Sequence, residues 1–404
     1  MSESLNGISP AGRTKVTLGD IARNISENEY NPKEKGLDRC VGLEHLDPGS
    51  LRICRWSPIT PEMSFTRRFY KGQILFGKRR AYQKKVSLAD FDGICSSDIL
   101  VIEAKKENFV PELLPYILQD DRFFEYAVGT SSGSLSPRTK WKFLAEYEIW
   151  LPSLNEQHRI ATTLGAAEDC IVKGERFFAA GERAKQVLMR ELFSKGIGHK
   201  KLFVDPSISQ MPLDWKAIKI GDPNYFERVQ SGGTPRVTER KFYNGDIPFV
   251  KIEDITNSNK YLSSTQTKIT REGLENSSAW LVPSSSILYS MYASYGEVVI
   301  NSIPVATNQA ILAIIPSEKM NLDYSYYALV HLKGSIHKSV QETTQKNLNC
   351  EIVKNFKIPL PPYEEQKQIA AILTRCDETI AAARANVEAA KVMKMKLINE
   401  FLNA

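Results

Sequence analysis

Two stretches of the chain carry apolar or small residues at alternating steps of four and three. The first runs Ile160, Leu164, Ala167, Ile171, Gly174, Phe178, Gly181, Lys185, Leu188, Leu192. The second runs Ile369, Leu373, Cys376, Ile380, Ala383, Val387, Ala390, Lys394, Leu397, Phe401. This is the spacing of a heptad seam, and it predicts two helices of about forty residues, roughly 60 Å each at about 1.5 Å per residue. Pro152 and Pro361 suit the helix starts. One seam position is small over three heptads: Ala167, Gly174 and Gly181 in the first helix, Cys376, Ala383 and Ala390 in the second. Glycine costs a helix about 0.8–1 kcal/mol relative to alanine, so two glycines seven apart imply a close contact that needs the space. The predicted arrangement is an antiparallel pair. Its seam is formed by Leu164, Ile171, Gly174, Phe178 and Gly181 against Leu373, Ile380, Ala383, Val387 and Ala390. Lys185 and Lys394 interrupt both seams at the same place. Snorkelling from the bundle edge explains them; a docking surface for another subunit is the alternative.

The two stretches are one stretch repeated. Pro152 and Pro361, Gln157 and Gln366, and Ile160 and Ile369 are all offset by 209 residues. Ahead of each lies a segment of short strand-like runs and one helix. Gln73–Gly77 corresponds to Ser286–Tyr289, and Asp98–Ile102 to Ala310–Ile314. Leu113–Val128 corresponds to Tyr324–His337, and the small-residue loop 129–134 to 341–347. So long a period excludes a solenoid and implies two-fold pseudo-symmetry. The divisions are a globular domain over 1–151, a helical region over 152–200, a second globular domain over 201–360 and a second helical region over 361–404. Apolar positions agree between the halves while loops differ. Two readers of different sequences would look like this, and so would drift after a duplication.

Composition narrows the class. At 42% hydrophobic and 25% charged residues, the 404-residue chain has the make-up of a soluble globular protein. No apolar run approaches the roughly 18 residues of a membrane span, and the polar N-terminus shows no secretory signal, so a cytoplasmic location is expected. The six scattered cysteines give no case for zinc or a disulfide framework. Net charge is +6, and Lys78, Arg79, Arg80, Lys84 and Lys85 gather with Tyr82 in eight positions. Such a segment suits a polyanion partner or a solvated edge strand. Phosphate-binding loops, dinucleotide fingerprints and zinc-protease motifs are absent. Asp98, Glu103 and Lys105 resemble the acidic strand end of a metal-dependent nuclease. The second half lacks the triad, which favours a solvated strand end.

Four groups of residues, in order, carry a family likeness. They are Leu151-Pro152 with Glu156-Gln157 and Ile160; Pro212 through Trp215 with Ser231-Gly232-Gly233-Thr234-Pro235 and Gly245 to Phe249; Thr343 to Leu348; and Leu360-Pro361 with Glu365-Gln366 and Ile369. The chain resembles the DNA-specificity subunit of Type I restriction–modification enzymes from about residue 14 onward. The first-half loop Gly133 to Arg138 departs from the Thr-Gln-Lys wording of the second.

The resemblance implies an α+β fold with two pseudo-symmetric target-recognition domains joined by two long antiparallel coiled-coil helices. It implies a non-catalytic reader of double-stranded DNA, each domain taking one half of a bipartite asymmetric site. The helices would set the spacing and dock two methyltransferase subunits, and motor–nuclease subunits would join them. No cofactor or metal is expected on this chain; S-adenosylmethionine is expected in the methyltransferase. Phosphate contacts are expected from Lys78, Arg79, Arg80, Lys84, Lys85, Lys140, Lys142, Arg240, Lys241, Lys338 and Lys346. Base readers are expected among Arg138, Arg236, Gln345 and Asn347, since arginine suits guanine and glutamine or asparagine suits adenine. Tyr82, Tyr289, Tyr292 and Tyr295 are either contacts to the nucleic acid or core and edge aromatics.

Overall fold

A computed structural model of the chain describes residues 12–105, 107–206, 208–292, 296–341 and 348–403. It forms two compact units, Met1–Arg176 with Arg384–Ala404, and Phe177–Ala383. In the first, strands Ala22–Ile25 (β1), Ile74–Gly77 (β2), Val86–Leu88 (β3) and Ile99–Ala104 (β4) make an antiparallel sheet in the order β1-β4-β2-β3. Ile74, Phe76, Leu100 and Ile102 turn one face of this sheet into the main core. Leu75, Ile99 and Val101 turn the other into a smaller core against a second sheet. In that second sheet Arg39–Val41 runs parallel to Gly93–Cys95. Strands buried on both faces read as continuous apolar runs, which is why these segments stood out in the sequence. The stretch expected as one helix over 113–128 is two, Leu114–Ile117 and Asp121–Gly129. Asp120 breaks it by capping the second helix, accepting from the Arg122 N–H at 2.8 Å.

A long helix, Leu154–Lys195 (α1), begins in the first unit and ends in the second. The second unit repeats the plan. Its sheet comprises Phe226–Ser231 (β5), Tyr261–Leu262 (β6), Ser286–Ser290 (β7), Val298–Asn301 (β8) and Ile311–Pro316 (β9), in the order β5-β9-β7-β8-β6. A second sheet again has one parallel pair, Tyr243–Val250 beside Val305–Thr307. Then come Leu322–Gln341 (α2) and the last helix, Tyr363–Asn403 (α3).

The repeated motif at the two helix starts has a mechanical explanation. Thr14–Thr17 pairs with Glu148–Leu151, and Lys216–Lys219 with Lys357–Leu360, delivering the chain to Pro152 and Pro361. The prolines stand two residues before the first helical residue rather than inside the helix. Gln157, buried, accepts from the Val110 N–H at 3.0 Å and donates to the Pro152 carbonyl at 3.0 Å. Gln366 does the same with the Asn321 N–H at 2.9 Å and the Pro361 carbonyl at 3.1 Å. Each glutamine pins its helix start to its own globular domain.

Within each unit the segments of α1 and α3 pack antiparallel. In the first, Glu168 meets Lys394, Gly174 meets Val387 and Glu175 meets Lys391. In the second, Gly181 meets Ile380 and Lys185 meets Asp377. Leu164, Ile171, Leu373, Ile380 and Val387 are buried, while Phe178, Ala383 and Ala390 are half-buried. Toward the helix ends burial shifts by one, to Met189, Phe193 and Ile398 beside the expected Leu188, Leu192 and Leu397, because a 3.6-residue helix drifts against a seven-residue repeat.

The interrupting lysines do not snorkel. Lys394 is 2% exposed and donates to Glu168 at 2.8 Å and to Gln119 at 3.1 Å. Lys185 is ion-paired with Asp377, which also accepts from the Tyr327 hydroxyl at 2.7 Å. Glu168 and Asp377 carry the same 209-residue offset as the lysines, so one ion pair occurs twice.

Candidate nucleic-acid interface

In the first unit the end of β2 and the start of β4 lie side by side, with Gly77 opposite Ile99. The basic segment leaves from there. The Lys78 N–H donates to the Asp98 carbonyl at 3.0 Å, and the Thr139 N–H to the Lys78 carbonyl at 3.0 Å. The Arg80 N–H donates to the Pro137 carbonyl at 2.8 Å. Arg80 and Lys84 adopt left-handed backbone (φ 55° and 52°), which turns the segment tightly around the short helix Ala81–Gln83. The loop 129–138 is thereby laid against the basic segment.

Asp98 is the hub of this edge. It accepts from the Arg138 Nε at 2.8 Å and from an Arg79 Nη at 3.2 Å, and Arg79 also donates to the Ser136 hydroxyl at 3.0 Å. Arg67, which the sequence reading did not single out, donates to the Ile25 carbonyl and the Ser26 hydroxyl at the end of β1. Burial pushes the Asp98 carboxyl up, but the hydrogen bonds and charges of Arg138 and Arg79 together outweigh it and hold the carboxyl below its ordinary value. Burial, then the positive charge of Arg67, and to a lesser degree that of Arg138, push the Lys78 ammonium down against the opposing pull of Asp98. Lys78, Arg79 and Arg138 thus share one carboxylate, and the Nε atoms of Arg67, Arg79 and Arg80 are buried without a partner. Such a site favours an incoming anion.

The other cations of this half scatter. Lys84 is exposed and ion-paired with Asp121 at 2.5 Å, and Lys85 is bound to the Leu43 carbonyl at 2.6 Å. Tyr82 is exposed; Lys140 and Lys142 are exposed around the helix Trp141–Leu144. The nuclease-like triad does not converge. Asp98 and Glu103 stand at opposite ends of β4, with Glu103 paired to Arg23 at 2.6 Å and Lys105 donating to the Gly19 carbonyl. Among the described residues no group of three or more acidic, histidine or cysteine side chains is placed to hold a metal ion.

At the corresponding edge of the second unit, with Ser290 opposite Ile311, the described residues that meet are polar. Gln309, exposed, accepts from the Thr234 hydroxyl at 2.5 Å. Thr234 is named from the sequence only as part of the family motif, and Gln309 not at all, because it stands just ahead of an apolar strand with no charge or motif to mark it. Arg236 is exposed nearby in sequence; Arg240 and Lys241 are exposed in the turn Arg240–Phe242, with Lys241 paired to Glu272 at 2.5 Å. Tyr289 is a correction. It lies in the middle strand of the sheet, fully buried in the core, and cannot touch a surface ligand. Tyr292 is half-buried against the same core. Tyr295, Gln345, Lys346 and Asn347 lie outside the described residues, and of Lys338 only the helical backbone is described.

Residues 15–175 and 212–389 match the family model of the Type I restriction modification DNA specificity domain. The chain is 28% identical over 345 residues to the putative type I restriction enzyme MjaX specificity subunit of Methanocaldococcus jannaschii, covering 82% of this chain and 77% of that protein. It is 26% identical to the type I restriction enzyme HindI specificity subunit of Haemophilus influenzae, over 89% of this chain and 93% of that one. The fold is shared with the type I restriction–modification S subunit from M. genitalium, at a TM-score of 0.59 and 16% identity over all of both chains. A chain from a structural study of assembly and conformational transition in the type I R-M system gives a TM-score of 0.60 at 20% identity, over 98% of this chain and 99% of that one.

Proposed function

The chain belongs to the Type I restriction modification DNA specificity family, and on that premise we propose how its two units divide the work. It is a non-catalytic specificity subunit with two target-recognition domains. The first domain grips one half of a bipartite, asymmetric duplex site through the cationic edge around Asp98, and the second reads the other half through the polar edge at Thr234 and Gln309. The paired helices fix the number of unread base pairs between the halves and dock two methyltransferase subunits, which hold S-adenosylmethionine; motor–nuclease subunits join the same cytoplasmic assembly. The observation that carries this reading is the excess of cations over carboxylate where Lys78, Arg79 and Arg138 converge. Cations of this kind displace counterions from duplex DNA, so binding falls steeply with salt.

Methylome sequencing of a host carrying the chain with its methyltransferase tests the proposal. The expected methylated motif is two unlike half-sites separated by unread bases, and one uninterrupted palindrome overturns it. Inserting four residues after Gly181, about 6 Å of helix, should lengthen the spacer by about two base pairs and leave both half-sites unchanged.

A further inference from the structure

We propose that Asp98 is a positioning residue that presents Arg138 to a guanine of the first half-site; this rests on the reading of the first unit as a DNA-recognition domain. The two arginines on Asp98 are committed differently. Arg79 spends both ends of its fork inside the protein, one Nη on Asp98 and the other on the Ser136 hydroxyl. Arg138 gives only its Nε to Asp98, at 2.8 Å, and its side chain is 48% exposed. Its backbone is fixed by two hydrogen bonds with Ser132, the N–H of each donating to the carbonyl of the other at 3.0 Å. With the backbone and the Nε both held, the terminal Nη pair, which makes no bond to the described residues, is left as a fork of two parallel donors. Guanine offers two acceptors, O6 and N7, on one edge in the major groove, and this fork matches them. Asp98 is 16% exposed and anchored at the start of β4, so it is a rigid buttress.

The test uses the full chain assembled with its methyltransferase. Duplexes carry the methylated motif with each base pair of the first half-site replaced in turn, and affinities are measured at several salt concentrations. Arg138→Ala should cut the preference for guanine at one position by about ten- to hundred-fold. Arg138→Lys should not restore it, because an ammonium cannot form the fork. Asp98→Ala should erode the same single-base preference while binding to unrelated duplex holds or tightens, since a negative charge has been removed. Asp98→Asn, which keeps an acceptor for Arg138, should retain part of the preference and serves if the alanine variant does not fold. If Arg138→Ala weakens every duplex equally and lowers the salt slope by about one, Arg138 is a phosphate contact and the inference is overturned. Single-base preference unchanged in Asp98→Ala overturns it too, leaving Asp98 as a charge balance. Wild-type protein without salt-sensitive duplex binding would instead refute the recognition-domain reading on which this one stands.

Discussion

Three glycines of α1 separate helix propensity from packing in a single experiment. Gly165, Gly174 and Gly181 all lie inside the helix, so replacement by alanine brings each the same gain, about 0.8–1 kcal/mol. Their surroundings differ. A Cβ at Gly165 meets nothing within 4 Å, so Gly165→Ala should stabilise by nearly the full amount. At Gly181 the nearest atom is the Ile380 Cγ1 at 3.0 Å, followed by its Cδ1 at 3.6 Å. A shift of a few tenths of an ångström accommodates the methyl, and the net effect should be close to zero. At Gly174 the added Cβ overlaps the Cγ2 methyl of Val387. Val387 is 2% exposed and β-branched, so its methyl has no other rotamer to adopt cheaply. Overpacking of this kind costs about 1–3 kcal/mol, and Gly174→Ala should therefore end about 1 kcal/mol less stable than wild type. The spread between Gly165→Ala and Gly174→Ala, about 1–3 kcal/mol, is free of the propensity contribution. Urea titrations of the full chain measure it, with amide exchange along α1 as the local readout. Gly174→Ala as stabilising as Gly165→Ala would mean that the helices do not approach at Val387.

Lys394→Ala strands the Glu168 carboxylate against a buried surface and should cost about 3–5 kcal/mol in urea titration, whereas Lys394→Met combined with Glu168→Leu should recover most of that loss. Gln157→Ala leaves the buried Val110 N–H without an acceptor; a loss of about 1–3 kcal/mol is expected, with faster amide exchange at Val110 as the local sign. Asp98 titrates below its ordinary value when folded, so its contribution is fully present above the ordinary carboxylate range and is lost as pH falls through the lower folded value. The stability difference between wild type and Asp98→Asn should accordingly shrink on acidification; a difference independent of pH in that window would show that the arginines do not hold the carboxylate.

The helices and strands were legible because burial imposes a period. The seam through Leu164, Ile171, Ile380 and Val387 and the apolar runs at Ile74 and Ile311 are direct projections of a buried face onto the sequence. What periodicity does not carry is partnership across distance. Lys394 looked like an exception to its seam because its acceptors, Glu168 and Gln119, lie more than two hundred residues away. The repeat held a clue, since Glu168 and Asp377 are related by the same offset as the lysines. Tyr289 is ambiguous in the sequence for a related reason: tyrosine suits both core and surface, and only its place in the middle of the sheet decides against a nucleic-acid contact. At the candidate site the basic run was legible as charge, but the convergence of Arg67, Arg79 and Arg138 on one edge depends on strand pairing and loop return, which composition does not record.

The glutamine joints carry a consequence for how such proteins acquire new targets. Gln157 and Gln366 grip backbone groups, the Val110 and Asn321 N–H and the proline carbonyls. A hydrogen bond to main chain does not depend on which side chain the partner residue carries. The loops and edges of a recognition domain can therefore be rewritten without disturbing these joints, provided the side-chain contacts to the helices, such as Gln119 with Lys394 and Tyr327 with Asp377, are kept. The fitting is a standard coupling, made twice in one chain, around which the loops are free to differ.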